Sequence, residues 1–196
     1  MNIIAERQRP TISIETFRVF YDSRPDEEHW ELIDGLPMMM APATKTHQRI
    51  ASNLERLLND ALEAKDPSRA AYQRIGVNLR PAIDDYDPEP DVVVVDAAGD
   101  MQQRYADTFY LAAEVVSDSD GPRVELKSDI YKLHPHCRCV LTIRQDRREV
   151  VIDARLEAGS ETTVLNKPTD ILAIDALGLH CAVGDLYRGT PFQLRR

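Results

Sequence analysis

Phe109-Tyr110-Leu111-Ala112-Ala113-Glu114-Val115-Val116 is an eight-residue apolar run that carries a single charge. Its aromatic and β-branched residues, with no turn former among them, predict a strand, along which side chains alternate between two faces. Phe109, Leu111, Ala113 and Val115 are expected on one face, and Tyr110, Ala112, Glu114 and Val116 on the other. Neither face is polar, so both are covered, and the strand belongs inside a sheet with a layer on each side. That leaves Glu114 without a solvent side. An ionised carboxylate buried alone is costly, so it takes up a proton or finds a cation.

Working outward, Asp91-Val92-Val93-Val94-Val95-Asp96 is a second apolar strand, closed at both ends by carboxylates. If it neighbours the first, Asp91 and Glu114 meet at one end of the sheet. Two close carboxylates repel, and a hard divalent cation such as Mg²⁺ relieves the repulsion with oxygen ligands alone. A structural pairing with arginine or a loop-capping role fits the same pattern. Arg123 to Leu133 reads as a helix with Leu126, Ile130 and Leu133 as its apolar stripe. Lys127 and Tyr131, four residues apart, share a face of it. The Lys127 ammonium either points back to the sheet end, where it would assist an attacking water or a charged phosphate, or snorkels to solvent.

The remaining elements frame this pair of strands. Ser13 to Tyr21 is a short helix capped by Ser13, with Glu15 in its first turn. Trp30 to Ile33 and Leu36 to Met40 flank Asp34-Gly35, a hairpin turn signal, and Pro37 confines that ribbon to an edge. Glu31 in its first strand is either a third carboxylate for the site or a residue facing water. Thr44 or Thr46 caps a helix running to about Lys65, with His47 in its first turn. Ile75, Val77 and Leu79 alternate as a half-buried strand would, and strands follow at Cys139 to Ile143, Glu149 to Ala154, Thr162 to Leu165 and Ile171 to Ile174. A short turn closes the chain at Asp185 to Tyr187. Helices and strands without strict alternation predict an α/β fold with a mixed sheet flanked by helices and extra C-terminal strands.

With 196 residues and 43% hydrophobic content, the chain is expected to form one domain, residues 12–192, preceded by an N-terminal arm, residues 1–11. No apolar run approaches the roughly 18 residues of a membrane span, and no secretory signal is visible, so a cytoplasmic protein is expected. The net charge of −9 opposes a polyanionic partner overall, but it is unevenly spread. Ala82 to Asp120 holds eleven acids and one base, whereas Gly121 to Arg155 holds eight bases and five acids. This matches a cation site beside a phosphate-facing surface, and equally ordinary surface decoration.

Trp30-Glu31-Leu32-Ile33-Asp34-Gly35, Ala41-Pro42, His47-Gln48, Pro90-Asp91-Val92-Val93-Val94-Val95, Ala113-Glu114-Val115-Val116-Ser117 and Lys127 followed by Tyr131 resemble, in that order, the Uma-two family of bacterial restriction-endonuclease-like proteins, part of the PD-(D/E)XK nuclease superfamily. The resemblance runs from about Ile12 to about Phe192. It implies a restriction-endonuclease-like fold and divalent-metal-dependent hydrolysis of phosphodiester bonds. Asp91 and Glu114 would bind Mg²⁺ (or Mn²⁺), aided by the Val115 carbonyl, and Glu31 matches the family's N-terminal acid. In the superfamily pattern the lysine stands two residues after the glutamate, which here is Val116. Lys127, on the following helix, matches the position from which this family supplies it. Tyr131, His47 and Arg123 are expected on the substrate side, with double-stranded DNA as the partner and a homodimer cutting both strands. The chain departs from the family at Ser117-Asp118-Ser119-Asp120, at Arg123, where an acid is usual, and at Pro135 to Val140.

Other chemistries find less support. Cys137, Cys139 and Cys181 are an odd set. Strand alternation would put Cys137 and Cys139 on one side, but neither the spacing nor the ligand count of a zinc site is present, and buried thiols are the expectation. No nucleophile elbow, nucleotide-binding glycine loop or basic recognition helix occurs. The competing class is a nuclease fold that has lost cleavage and serves as a binding or assembly module.

Overall fold

The computed structural model describes residues 11–80, 82–118, 122–156 and 159–193. Helix α1 (Ile14–Asp22) starts where Ser13 Oγ accepts the Thr16 N–H. Strands β1 (Trp30–Ile33) and β2 (Leu36–Met39) form an antiparallel ribbon. Asp34 and Gly35 turn it with φ of 53° and 66°, the left-handed pair that a two-residue hairpin requires. Helix α2 (Lys45–Lys65) begins at Thr44, whose hydroxyl accepts the His47 N–H at 3.1 Å. Then come β3 (Arg69–Tyr72), β4 (Gly76–Val77), β5 (Val92–Asp96), β6 (Tyr105–Ala106), β7 (Phe109–Val116), α3 (Pro122–Leu133), β8 (Cys139–Arg144), β9 (Val150–Leu156), β10 (Gly159–Leu165), β11 (Ile171–Ile174), β12 (Leu179–Ala182) and α4 (Val183–Leu186).

The main sheet has the order β10-β9-β8-β7-β5-β3. Only β7 and β8 pair in parallel; the other neighbours are antiparallel. The crossover between β7 and β8 is α3, as a parallel pair demands. On one side, Leu54, Leu58 and Leu62 of α2 cover Val92, Val94, Leu111, Ala113 and Val115. On the other, Ile130 and Tyr131 of α3, with Val77 and Leu79, cover Val93, Val95, Phe109, Ala112 and Val140. The fold is thus a mixed α/β sheet flanked by helices, with β9 and β10 as its C-terminal extension and β11-β12 a separate ribbon. No helix among the described residues is long and apolar enough to cross a membrane. Of the expected arm, residues 1–10 lie outside the described residues.

Several expectations need correction. Plain alternation along β7 fails at its start: Val94 pairs with Leu111 but Val95 with Phe109, so Tyr110 is an extra residue in a bulge. Phe109 therefore joins the α3 side with Ala112, while Tyr110 packs on the α2 side. The stripe on α3 is also rotated. Leu126 and Leu133 are 40% and 50% exposed, and Lys127, Ile130 and Tyr131 turn inward instead. The inward lysine and tyrosine find ionic partners, which outweighs burying two leucines. Ile75 to Leu79 contributes only the short β4, paired in parallel with β6; Val77 and Leu79 are buried by packing under the sheet rather than by joining it. Cys137 and Cys139 fall on opposite sides of the sheet, because Cys137 precedes the regular part of β8. Strands β3, β6 and β12 are absent from the sequence reading. Arg69-Ala70-Ala71-Tyr72 has little strand propensity, and its pairing is supported by Asn59, which both accepts from Ala71 N–H and donates to Ala71 O.

The acidic loop before β5 is stitched to the β1-β2 ribbon. Leu32 and Asp87 exchange both main-chain hydrogen bonds, and Gly35 N–H donates to Asp85 O. The Asp87 carboxylate is buried and held by the Arg18 fork at 2.8 and 2.9 Å. Burial pushes the Asp87 pKa up, and the Arg18 guanidinium opposes that push. Arg18→Met leaves this buried carboxylate without its counter-charge. Because the arginine is partly exposed, the expected loss is about 2 kcal/mol rather than the full cost of breaking a buried pair, read from urea unfolding midpoints.

Candidate functional site

Three strands and two helices deliver their charged residues to one end of the sheet. Glu31 comes from β1, Asp91 immediately precedes β5, and Glu114 lies in β7. The pairing of Val92 with Ala113 brings Asp91 beside Glu114 across the ladder. Asp91 Oδ2 accepts the Val115 N–H at 2.7 Å, and His47 Nε2 lies 3.0 Å from the same oxygen. Lys127 reaches in from α3, and its Nζ donates to Glu31 Oε1 at 2.7 Å and to Glu114 Oε1 at 3.1 Å. The Tyr131 hydroxyl, one turn further along α3, donates to Glu114 Oε1 at 2.6 Å. Glu31, Glu114 and Lys127 are 2%, 7% and 6% exposed, so this cluster is a buried ionic network at the floor of a cavity of about 400 Å³.

The cavity is electrostatically unbalanced. Glu31, Glu89, Asp91 and Glu114 line it, against Lys127, Arg74 and His47. Burial pushes the Glu114 pKa up to about 7; the Lys127 charge opposes this, and the Asp91 and Glu31 carboxylates add to it. Glu89 is likewise pushed up to about 7, first by burial and then by Glu31. Burial works against the Lys127 ammonium, but Glu114 and Glu31 outweigh it and raise its pKa above the ordinary lysine value. For His47, burial is outweighed by the hydrogen bond to Asp91 and by the charges of Asp91 and Glu114, so its pKa also rises.

A hard divalent cation fits this chemistry. The acidic donors are all oxygens, negative charge is in excess, and Glu31 Oε2 is a buried acceptor with no hydrogen-bond partner. Among the described residues, no three His, Cys, Asp or Glu side chains are already gathered as a ligand set. An ion here would therefore keep several waters, as Mg²⁺ usually does.

Of the residues expected from sequence, Glu31, Asp91, Glu114, Val115, Lys127 and His47 line this one cavity. Tyr131, expected on the substrate side, is instead fully buried with its hydroxyl committed to Glu114. Arg123 falls in α3, with its side chain outside the described residues. The expected phosphate-facing surface between Gly121 and Arg155 is largely spoken for. Arg144 and Arg147 pair with Asp118 and Glu149, and Arg155 donates to the carbonyls of Lys132, His134 and Pro135. Sequence reading missed Glu89, His29 and Arg74. Glu89 carried a signal, standing between two prolines just before Asp91; His29 and Arg74 carried none.

The fold has a solved counterpart. A structure described as a "putative nuclease belonging to DUF820" from Anabaena variabilis superposes with a TM-score of 0.67 at 17% identity, covering 86% of this chain and 94% of that one. The class is thus a mixed α/β fold shared with that structure, here with an acidic cleft. The family is settled by sequence: the Uma2 model, described as "Putative restriction endonuclease", matches residues 14–184, and the chain belongs to the Uma2 family. None of the curated proteins compared matches it.

The raised Glu114 and Glu89 pKa values have a signed consequence. A group whose folded pKa lies above its unfolded value stabilises the fold below the unfolded value, and that contribution is lost as pH rises through the folded one. Between about pH 4.5 and about pH 7.5 the metal-free protein is therefore expected to lose stability through these two acids. His47, also raised, acts in the same direction above its unfolded value, whereas His29 and His134, held down by burial, act in the opposite one. The difference between wild type and Glu114→Gln isolates the site. In EDTA the variant's melting temperature should gain on wild type by about 5 °C across that pH range, and scanning calorimetry at several pH values checks it.

Proposed function

We propose that the protein is a Mg²⁺-dependent endonuclease that hydrolyses phosphodiester bonds of DNA. The observation that carries this reading is the convergence of Glu31, Asp91, Glu114 and Lys127, from four separate elements, on one cavity with an excess of negative charge. Asp91 and Glu114, with the Val115 carbonyl, would hold the ion, and Mn²⁺ would substitute. Such an ion polarises a phosphoryl oxygen and lowers the pKa of a bound water.

The chain's own residues do the rest. An ammonium has three N–H donors. Two of those on Lys127 are taken by Glu31 and Glu114, which leaves one to orient the attacking water or to meet charge developing on phosphate. Glu31 fixes that ammonium from the ribbon side, and its Oε1 is itself braced by the Glu89 N–H at 3.0 Å. Tyr131 acts through Glu114, holding its carboxylate in place, and is a positioning residue. His47 and the Val115 N–H fix the Asp91 carboxylate from two directions. Arg123, near the start of α3, is the proposed phosphate contact from that helix. A homodimer would supply the two sites that double-strand cleavage needs.

The alternative, a nuclease fold serving as a binding or assembly module, is favoured by one observation: Lys127 and Asp91 are already engaged by protein partners. Plasmid cleavage with Mg²⁺ or Mn²⁺ decides between the two. Asp91→Asn and Glu114→Gln are expected to lower the cleavage rate by about 10²-fold or more. Calorimetric titration with Mn²⁺ should show binding to wild type that Asp91→Asn loses. No cleavage under any condition, with wild type and Glu114→Gln alike, would leave the binding module.

A further inference from the structure

The acidic cavity does not end at its carboxylates. His29, Trp30, Arg74 and Glu89 line it and also line a second cavity of about 400 Å³, so these four residues form the wall between two adjoining chambers. The second chamber sets the guanidinium residues Arg24, Arg74 and Arg104 and the rings of Tyr21, Trp30 and Tyr105 against four carboxylates, of which Asp87 is already held by Arg18 and Glu28 by Trp30 Nε1. Its size falls within the range of small-molecule sites.

Arg74 is the unusual member of the wall. Its φ of +58° is a conformation that non-glycine residues seldom adopt. No carboxylate lies within ion-pair distance of it among the described residues. Its Nη1 instead stands 2.8 Å from His29 Nε2. A guanidinium only donates, so Nε2 must accept, and His29 is neutral with its proton on Nδ1. Burial and the Arg74 charge both favour that neutral form. Nδ1 is buried without a hydrogen-bond partner; the nearest carboxylate oxygen, Glu89 Oε1, is 3.9 Å away, beyond hydrogen-bond reach. The wall thus presents a cation without an ion partner, held on one side by the His29 ring, next to the proposed reaction centre.

We propose that this wall and the second chamber bind the nucleotide flanking the scissile phosphate, with that nucleotide unpaired. Arg74, steered by the His29 ring, takes the flanking phosphate. The base enters the second chamber, where an aromatic wall and nearby guanidinium groups suit a base of any identity. A base held there has left the duplex stack, so the preferred substrate is single-stranded or locally opened at that point. This rests on the nuclease reading of the neighbouring cavity, and it adds a substrate class to it.

Trp30 is the chain's single tryptophan and lines both chambers, so its fluorescence reports occupancy directly. The probes are an oligothymidylate of about eight nucleotides and a blunt duplex of the same length. Each is titrated into wild type in EDTA and into Glu114→Gln in Mg²⁺. The single strand is expected to change Trp30 emission and to bind at least about fivefold tighter than the duplex. Arg74→Gly removes the guanidinium and accepts the positive φ without strain, so its melting temperature should hold. Its oligothymidylate affinity should fall about tenfold, and the salt slope should shrink by about 0.7, the value for one phosphate contact on a single strand. Arg104→Ala, in the second chamber alone, should weaken the single strand while leaving duplex binding unchanged.

Wild-type affinity in folded Arg74→Gly, no response of Trp30 emission, or equal binding and quenching by the duplex would each overturn the proposal. Absence of cleavage of both plasmid and oligothymidylate in Mg²⁺, together with Arg74-dependent quenching, would refute the nuclease reading and still support the nucleotide subsite. Cleavage that persists without such quenching would do the reverse.

Discussion

One buried ammonium organises this end of the molecule. Lys127 is bound to carboxylates from two different elements, Glu31 of the β1-β2 ribbon and Glu114 of the central strand β7, while its own backbone belongs to α3. Remove that charge and two carboxylates are left buried without a counter-ion, a situation that costs more than the pair is worth when intact. The ribbon is not part of the main sheet. It is held there by this ionic contact and by the Asp87 loop, whose main chain pairs with Leu32 and whose carboxylate is clamped by Arg18. One buried and one half-buried ion pair therefore fix the position of a ribbon that supplies one wall of the cleft.

The same network fixes how the carboxylates are oriented. Asp91 is fixed by a main-chain N–H from the neighbouring strand, so its orientation follows from sheet register. Glu114 is fixed by Tyr131 and Lys127, so its orientation follows from the packing of α3. Each acid is supported by groups that do not face solvent, which is the usual requirement for a preorganised site. What the protein does not supply is enough positive charge for four clustered acids. That deficit is the physical basis for expecting a hard cation.

Much of this arrangement is legible in the sequence. The two apolar strands, the Ser13 and Thr44 caps, the Asp34-Gly35 turn and the mixed sheet follow from periodicity and turn chemistry, and each is found. Glu114 betrays itself as a charge with no polar face to occupy. The failures have local causes. The face of α3 is misjudged because ionic partners, which lie far away in sequence, outcompete the leucines for the inward direction. The reading of Tyr131 as a substrate contact fails because its depth is set by Phe109 and Glu114 on another element. Arg74 and His29 escape notice altogether: no composition or spacing marks a backbone conformation or a contact across 45 positions.

The bulge at Tyr110 makes β7 act as a ruler of fixed length. Phe109 and Glu114 are an odd number of positions apart, so an unbroken strand would send them to opposite sides of the sheet. The extra residue lets the ring that anchors the base of α3 and the carboxylate that meets its lysine point the same way. Single-residue insertions and deletions are therefore not equivalent along this chain. Loop tips can change length freely, whereas losing one position between 109 and 114 would force a choice between seating the helix and seating the acid. Drift in this lineage should leave that interval unaltered in length even where its apolar side chains interchange.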